Sequence, residues 1–296
     1  MPTLPNNFGL LEQPYCAYER SRVVVLPVPF ERTTSYGKGT SQGPAAIVRA
    51  SQNMELYDEE LEAEPFQQGI ATMDPFLPGA FEMAEALAEL EAEARGHLER
   101  GKFLVTLGGE HSLTQATARA ARAVHASLAV VQFDAHADLR EEYDGTRYSH
   151  ASVMKRIVDD GFPTLAVGVR SLSTPEAEVI RHRRLPVVWG RELDRAADLF
   201  PELLASLPEN VYLTFDIDYF DPSLVPATGT PEPGGGIWHP TLALLRALFS
   251  SKNVVAMDLV ELAPIGNQPA SEFLAAKLIY KCLGYLQEAD GGLLLH

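Results

Sequence analysis

Short runs of β-branched and aliphatic residues recur along this 296-residue chain, and most are followed by a stretch of helical composition. The runs cover 22–28, 103–107, 128–133, 164–169, 185–189, 211–215 and 253–257, and they read as buried strands. Helices are expected over 43–51, 81–100, 113–125, 149–159, from Thr174 onward, and over 193–207, 240–250 and 270–286. Ser112 and Thr174 are candidate N-caps, and Pro44 and Pro175 suit first-turn positions. Such alternation demands a parallel sheet with helices on both faces, an α/β fold. Residues 52–78 show no clear period, and 221–238 read as a long Pro/Gly-rich loop. No repeat or linker interrupts the pattern, so residues 1–296 are expected to form a single domain.

In open parallel sheets, functional residues gather beyond the carboxyl ends of the strands. Three of the runs end in residues of metal-ligand type. The run at 103–107 leads into Gly108-Gly109-Glu110-His111-Ser112. The run at 128–133 leads into Asp134-Ala135-His136-Ala137-Asp138, and that at 211–215 into Asp216-Ile217-Asp218. If the backbone stays extended past Phe133, Asp134, His136 and Asp138 point to one side. Unpaired carboxylates are costly to bury, and a cation is the usual remedy.

An isolated Asp-x-Asp is commonly a turn or a cap, but the combination at three strand ends is far more specific. Two His and four Asp exceed the need of one ion that keeps an open position. Shared between two ions, with one or two carboxylates bridging, they fit a binuclear centre. The set is hard and oxygen-rich, which favours Mn²⁺ over Zn²⁺, while Ni²⁺, Co²⁺ and Fe²⁺ also match by ligand type. His150 follows the polar loop at 140–148 and is a candidate proton shuttle. Glu261, just past the last strand, is a candidate partner for a cationic substrate group. His97, His125, His182 and His239 read as surface or packing residues.

The net charge of −16 argues against nucleic acid as a partner and suits a cationic substrate, although acidic surfaces also serve solubility. No apolar run approaches the roughly 18 residues that span a bilayer. No signal peptide is evident at the N-terminus, so no membrane partner is expected. Cys16 and Cys282 are far apart and form no disulfide framework, which fits a reducing cytoplasm.

On these motifs the chain resembles the ureohydrolases, the arginase/agmatinase family. The matching stretches are Gly108 to Ser112, Phe133 to Asp138, and Phe215 to Pro222, continuing through Pro226 to Gly235. The resemblance implies a three-layer α/β/α fold around a mainly parallel eight-stranded sheet. It implies two Mn²⁺ ions per subunit and hydrolysis of a guanidinium to urea plus an amine. His111, Asp134, Asp138 and Asp216 would hold one ion. Asp134, His136, Asp216 and Asp218 would hold the other, with Asp134 and Asp216 as bridges. His150 would transfer protons, Glu261 would orient the guanidinium, and Thr230 would line the pocket. Asp218 would stabilise developing charge and, with His150, serve the leaving amine.

Arginases carry a Ser-x-Asn-x-His-Gly segment for the α-amino and α-carboxylate groups of their substrate. Here the stretch is Tyr148-Ser149-His150-Ala151-Ser152, without the Asn, which points to a decarboxylated substrate. Agmatine, cleaved to putrescine and urea in polyamine biosynthesis, is the expected one. Glu110 stands where many members have Asp. The competing readings are hydrolysis of arginine, guanidinobutyrate or formimidoylglutamate, and a metal-binding protein without catalysis. A carboxylate-bearing substrate would call on Arg140 or Arg147. The family resemblance also implies a homo-oligomer, a trimer or hexamer.

Overall fold

The computed structural model describes residues 6–291. Residues 1–5 and 292–296 of the expected single domain lie outside the described residues. Eight strands form one sheet. In chain order they are β1 (Val23–Val28), β2 (Ile70–Thr72), β3 (Phe103–Gly108), β4 (Leu128–Phe133), β5 (Thr164–Val169), β6 (Val187–Trp189), β7 (Asn210–Asp216) and β8 (Asn253–Val260). The spatial order is β2-β1-β3-β8-β7-β4-β5-β6, and every pairing is parallel.

The helices are α1 (Gly43–Ser51), α2 (Met83–Leu98), α3 (Thr114–Val124), α4 (Val153–Asp159), α5 (Thr174–Arg183), α6 (Ala196–Ala205), α7 (Trp238–Ser251) and α8 (Ala270–Ala289). Successive strand residues point to opposite faces, so each strand contributes to two cores. Val23, Val25, Val131, Phe133, Leu213 and Phe215 pack with Ile47, Phe200, Leu248 and Ile279 of α1, α6, α7 and α8. Val24, Leu26, Leu104, Val130, Tyr212 and Ala256 pack with Leu87, Leu90, Ala120 and Ile157 of α2, α3 and α4. The expected α/β/α layering follows from this division.

The residue reading yields seven strands; the eighth is β2, three residues long within the aperiodic 52–78 segment. Three residues cannot express a period, and this strand exists because its backbone pairs with β1. Two cap expectations are corrected. Ser112 lies within a 3₁₀ turn over His111–Leu113, and its hydroxyl donates to Glu110 rather than capping α3. Ser173, not Thr174, caps α5: it forms a capping box with Glu176 at N3, where the carboxylate can reach back to the cap N–H. No helix among the described residues is long and apolar enough to cross a membrane.

The chain places β1 and β3 first, jumps across to β4, winds outward to β6, and returns to insert β7 and β8 in the gap. The four central strands, β3-β8-β7-β4, therefore come from both halves of the sequence. Their carboxyl ends carry all three ligand motifs together with Glu261.

Candidate metal centre and active site

Each ligand motif begins where a buried strand stops. β4 ends at Phe133 as the apolar run does, and the backbone does not stay extended beyond it, since Asp138 has a left-handed φ of 51°. Asp134 and Asp138 consequently turn toward His111, while His136 turns toward Asp218. After β3, Gly109 is needed because a Cβ there would lie 2.0 Å from the Phe30 carbonyl oxygen. That close approach lets Glu110 N–H donate to Phe30 and delivers His111 to the sheet edge.

His111 Nδ1 lies 3.2 Å from Asp134 Oδ2, 3.0 Å from Asp138 Oδ2 and 3.4 Å from Asp216 Oδ2. His136 Nδ1 lies 2.8 Å from Asp218 Oδ2 and 3.6 Å from Asp134 Oδ1. Two groups that could hold a metal ion result: His111, Asp134 and Asp216, and Asp134, His136 and Asp218. Asp134 belongs to both and turns one oxygen to each histidine. Asp216 directs Oδ2 to His111, while its Oδ1 accepts from Asp218 N–H at 2.9 Å.

The donor set fits divalent cations. His111 Nδ1 is buried without a hydrogen-bond partner although three carboxylate oxygens surround it, an arrangement suited to ligands around a shared ion. Without a cation the group must retain protons. Burial opposes charge on His111, but Asp134, Asp138 and Asp216 outweigh it and raise its pKa well above 6.5. Burial and the neighbouring Asp218 and Asp134 hold Asp216 well above the carboxylate range. Burial and Asp134 push Asp138 up to about 7. Asp134 itself is lowered, because His111 and His136 overcome its burial.

A cleft of about 320 Å³ opens over these groups, lined by His111, His136, Asp138, Asp216 and Asp218. His150, Thr230 and Glu261 also line it. Glu261 has φ 62°, which turns its buried side chain back toward the motif after β3, where it accepts from His111 N–H at 2.6 Å. Burial drives its pKa well above the usual value, with Glu110 adding to the shift. Burial also lowers the pKa of His150, which keeps the imidazole uncharged at neutral pH.

Glu110 is buried and accepts from Thr33 N–H at 2.6 Å and Thr33 Oγ1 at 2.8 Å. Thr33 Oγ1 in turn accepts from His150 N–H at 3.0 Å and lies 3.3 Å from His150 Nδ1. The longer acid thus ties the loop after β1 to the candidate shuttle. Arg147 does not line the cleft; it is exposed and lies 3.9 Å from Glu141. Arg140 does line it, over the Tyr143 ring and 3.9 Å from Glu176.

Sequence reasoning missed Glu176 and Glu232, which join the cleft wall from α5 and the long loop. It also missed Arg170, which donates to the Asp218 and Glu232 carbonyls at 2.8 Å and staples those two segments together. A lone Arg after Gly168-Val169 gives no local sign of this, since its acceptors are all main-chain carbonyls.

Comparison with known families matches residues 21–284 to the arginase family. The chain belongs to the arginase family. It is 41% identical to the N(1)-aminopropylagmatine ureohydrolase of a Synechocystis species, over 93% of this chain and 92% of that protein. It is 37% identical to an agmatinase of Pyrococcus horikoshii, over 93% of this chain and 95% of that protein. The crystal structure of an agmatine ureohydrolase from Thermoplasma volcanium superposes with a TM-score of 0.87 at 27% identity, covering 98% of this chain and 97% of the other. This arginase-family member is a hydrolase of guanidino groups, and its His/Asp groups are candidate metal sites of that enzyme class.

Proposed function

We propose that this enzyme cleaves a guanidino amine lacking a carboxylate, agmatine or its N1-aminopropyl derivative, to urea and the corresponding polyamine. The observation that carries the reading is the charge of the cleft. Glu261 lies beside the His/Asp groups, and Glu176 and Glu232 add acid to the wall. Among the described residues lining it, the one cation besides histidine is Arg140, already placed over Tyr143 and beside Glu176. A cationic amine is favoured there, and a substrate carboxylate would find no free partner. Relatives of 40–41% identity are named for the longer substrate and one of 37% for the shorter.

In this reading His111, Asp134, Asp138 and Asp216 would hold one Mn²⁺, and Asp134, His136 and Asp218, joined by Asp216 as in the family pattern, would hold the other. When bound, the ion pair supplies the positive charge that makes water a competent nucleophile near neutral pH. Glu261 pairs with the planar guanidinium through charge-assisted hydrogen bonds, and the arriving cation favours its ionised form. Thr230 lines the same pocket. His150, uncharged at neutral pH, relays a proton. Asp218 Oδ1 accepts from Ala135 N–H at 3.0 Å, which holds the carboxylate, and in this reading Asp218 passes a proton to the leaving amine.

Urea release across agmatine, N1-aminopropylagmatine, arginine and guanidinobutyrate tests the substrate. We expect kcat/KM for one of the two amines to exceed that for either carboxylate by at least about 10²-fold, given the cost of burying an unpaired charge. Arginine as the preferred substrate would overturn the assignment. Metal binding is expected to depend on pH. Asp138 is protonated below about 7 in the metal-free protein and ionised above it, so a proton competes with the metal on the acid side. Mn²⁺ affinity should rise between pH 6 and pH 8 in calorimetric titrations, with protons released on binding. A flat profile would contradict the ligand role of Asp138.

A reducing cytoplasm and a homo-oligomer, trimer or hexamer, complete the proposal. Two free cysteines support the first, and sedimentation of the purified protein tests the second.

A further inference from the structure

His111 is held from behind by buried groups that belong to no ligand set. Its Nε2 lies 2.9 Å from Thr214 Oγ1. The Thr214 hydroxyl donates to Asp258 Oδ1 at 2.7 Å. Asp258 Oδ2 accepts from Thr114 Oγ1 and from Tyr212 OH, each at 2.8 Å. Thr114, Tyr212, Thr214 and Asp258 are all fully buried, and none lines the cleft. Register creates the arrangement: Thr214 of β7 pairs directly with Asp258 of β8, whose other neighbour is Thr106 of β3.

The hydrogens can be counted. Thr114 Oγ1, 3.3 Å from Thr214 Oγ1, gives its hydrogen to Asp258 Oδ2, and the shorter contact assigns the one Thr214 hydroxyl hydrogen to Asp258 Oδ1, which as a carboxylate oxygen only accepts. Toward His111, Thr214 is left with lone pairs alone. Nε2 must then carry a hydrogen whatever the charge of the ring, so in the neutral ring it is Nδ1 that offers a lone pair to the space among Asp134, Asp138 and Asp216. A metal ligand needs this tautomer, and a fixed partner on the far nitrogen also sets the ring orientation.

We propose that Asp258, acting through Thr214, is the positioning residue that holds His111 in the Nε2–H form and so secures the ion on the His111 side. The inference rests on the metal-centre reading above. Asn at position 258 would reverse the polarity of the chain. Its amide can donate to Thr214 Oγ1, which frees the Thr214 hydroxyl to donate to Nε2 and leaves the imidazole hydrogen on Nδ1.

The test is Mn²⁺ binding to wild type, Asp258→Asn, Thr214→Val and Thr214→Ser, by equilibrium dialysis with electron paramagnetic resonance. Wild type should take two ions per subunit and show a spin-coupled pair. Asp258→Asn and Thr214→Val should bind one of the two ions about 10- to 100-fold more weakly. At Mn²⁺ levels that saturate wild type, they should show an isolated-ion spectrum. Thr214→Ser keeps the hydroxyl and should match wild type. If Asp258→Asn does not fold, the Val/Ser pair at 214 decides the matter, because both leave Asp258 with Thr114 and Tyr212. Folded variants that bind two ions with wild-type affinity would overturn the relay, as would a Ser variant as defective as Val or equal weakening of both ions. A wild type that takes up no pair of ions would instead overturn the metal-centre reading itself.

Discussion

Asp134→Asn is expected to leave less than one tightly held Mn²⁺ per subunit and to lower urea release by about 10³-fold or more. Asp134 belongs to both geometric groups of the structure and, with Asp216, to both proposed ligand sets; its Oδ2 faces His111 and its Oδ1 faces His136. An amide offers one oxygen where the carboxylate offers two, and it removes a charge from a buried cluster. A bound ion pair would lower the pKa of water toward neutrality, so a variant that cannot hold it would lack the nucleophile. Metal analysis and a urea assay on the same preparation check both parts. Full activity with two bound ions would refute the bridging assignment.

Glu261→Gln should separate substrate recognition from metal binding. Gln keeps an acceptor for the His111 N–H, so Mn²⁺ content should stay at the wild-type value. On the proposed role it loses the charge that would pair with the guanidinium. Removing one partner of a buried charged pair costs about 2–5 kcal/mol. That corresponds to a kcat/KM lower by roughly 30-fold to several thousand-fold. Because Glu261 is buried next to Glu110 and its pKa is raised, the wild-type anchor depends on the cation to stay ionised. Unchanged kcat/KM in a variant that binds metal normally would remove Glu261 from the substrate site.

The site was legible where chemistry is concentrated locally. Asp134, His136 and Asp138 fall within five residues, and Asp216 and Asp218 within three, each directly after an apolar run. Such runs become strands whatever lies elsewhere, because they must be buried, and a parallel sheet puts their carboxyl ends on one edge. The helix pattern was legible for a similar reason, and its boundaries shifted by a few residues at most of the ends.

The misreadings have a common cause. β2 is defined by a neighbour rather than by its own three residues. Asp138 and Glu261 reach the cleft only through left-handed backbone, which neither residue type signals. Arg170 acts on carbonyls, which every sequence has, and Glu110 spans to a loop 77 residues away.

By itself the sequence determined the layered α/β architecture, the edge on which function gathers, and the ligand types assembled there. Hydrophobic burial and strand pairing act on short segments, so those conclusions need no long-range information. Tertiary structure alone decided the rest. Insertion of β7 and β8 between β3 and β4 brought His111, Glu261, Asp216 and Asp134 side by side. It also aligned Asp258 with Thr214 behind His111, a contact between residues 44 positions apart that only inter-strand register can specify.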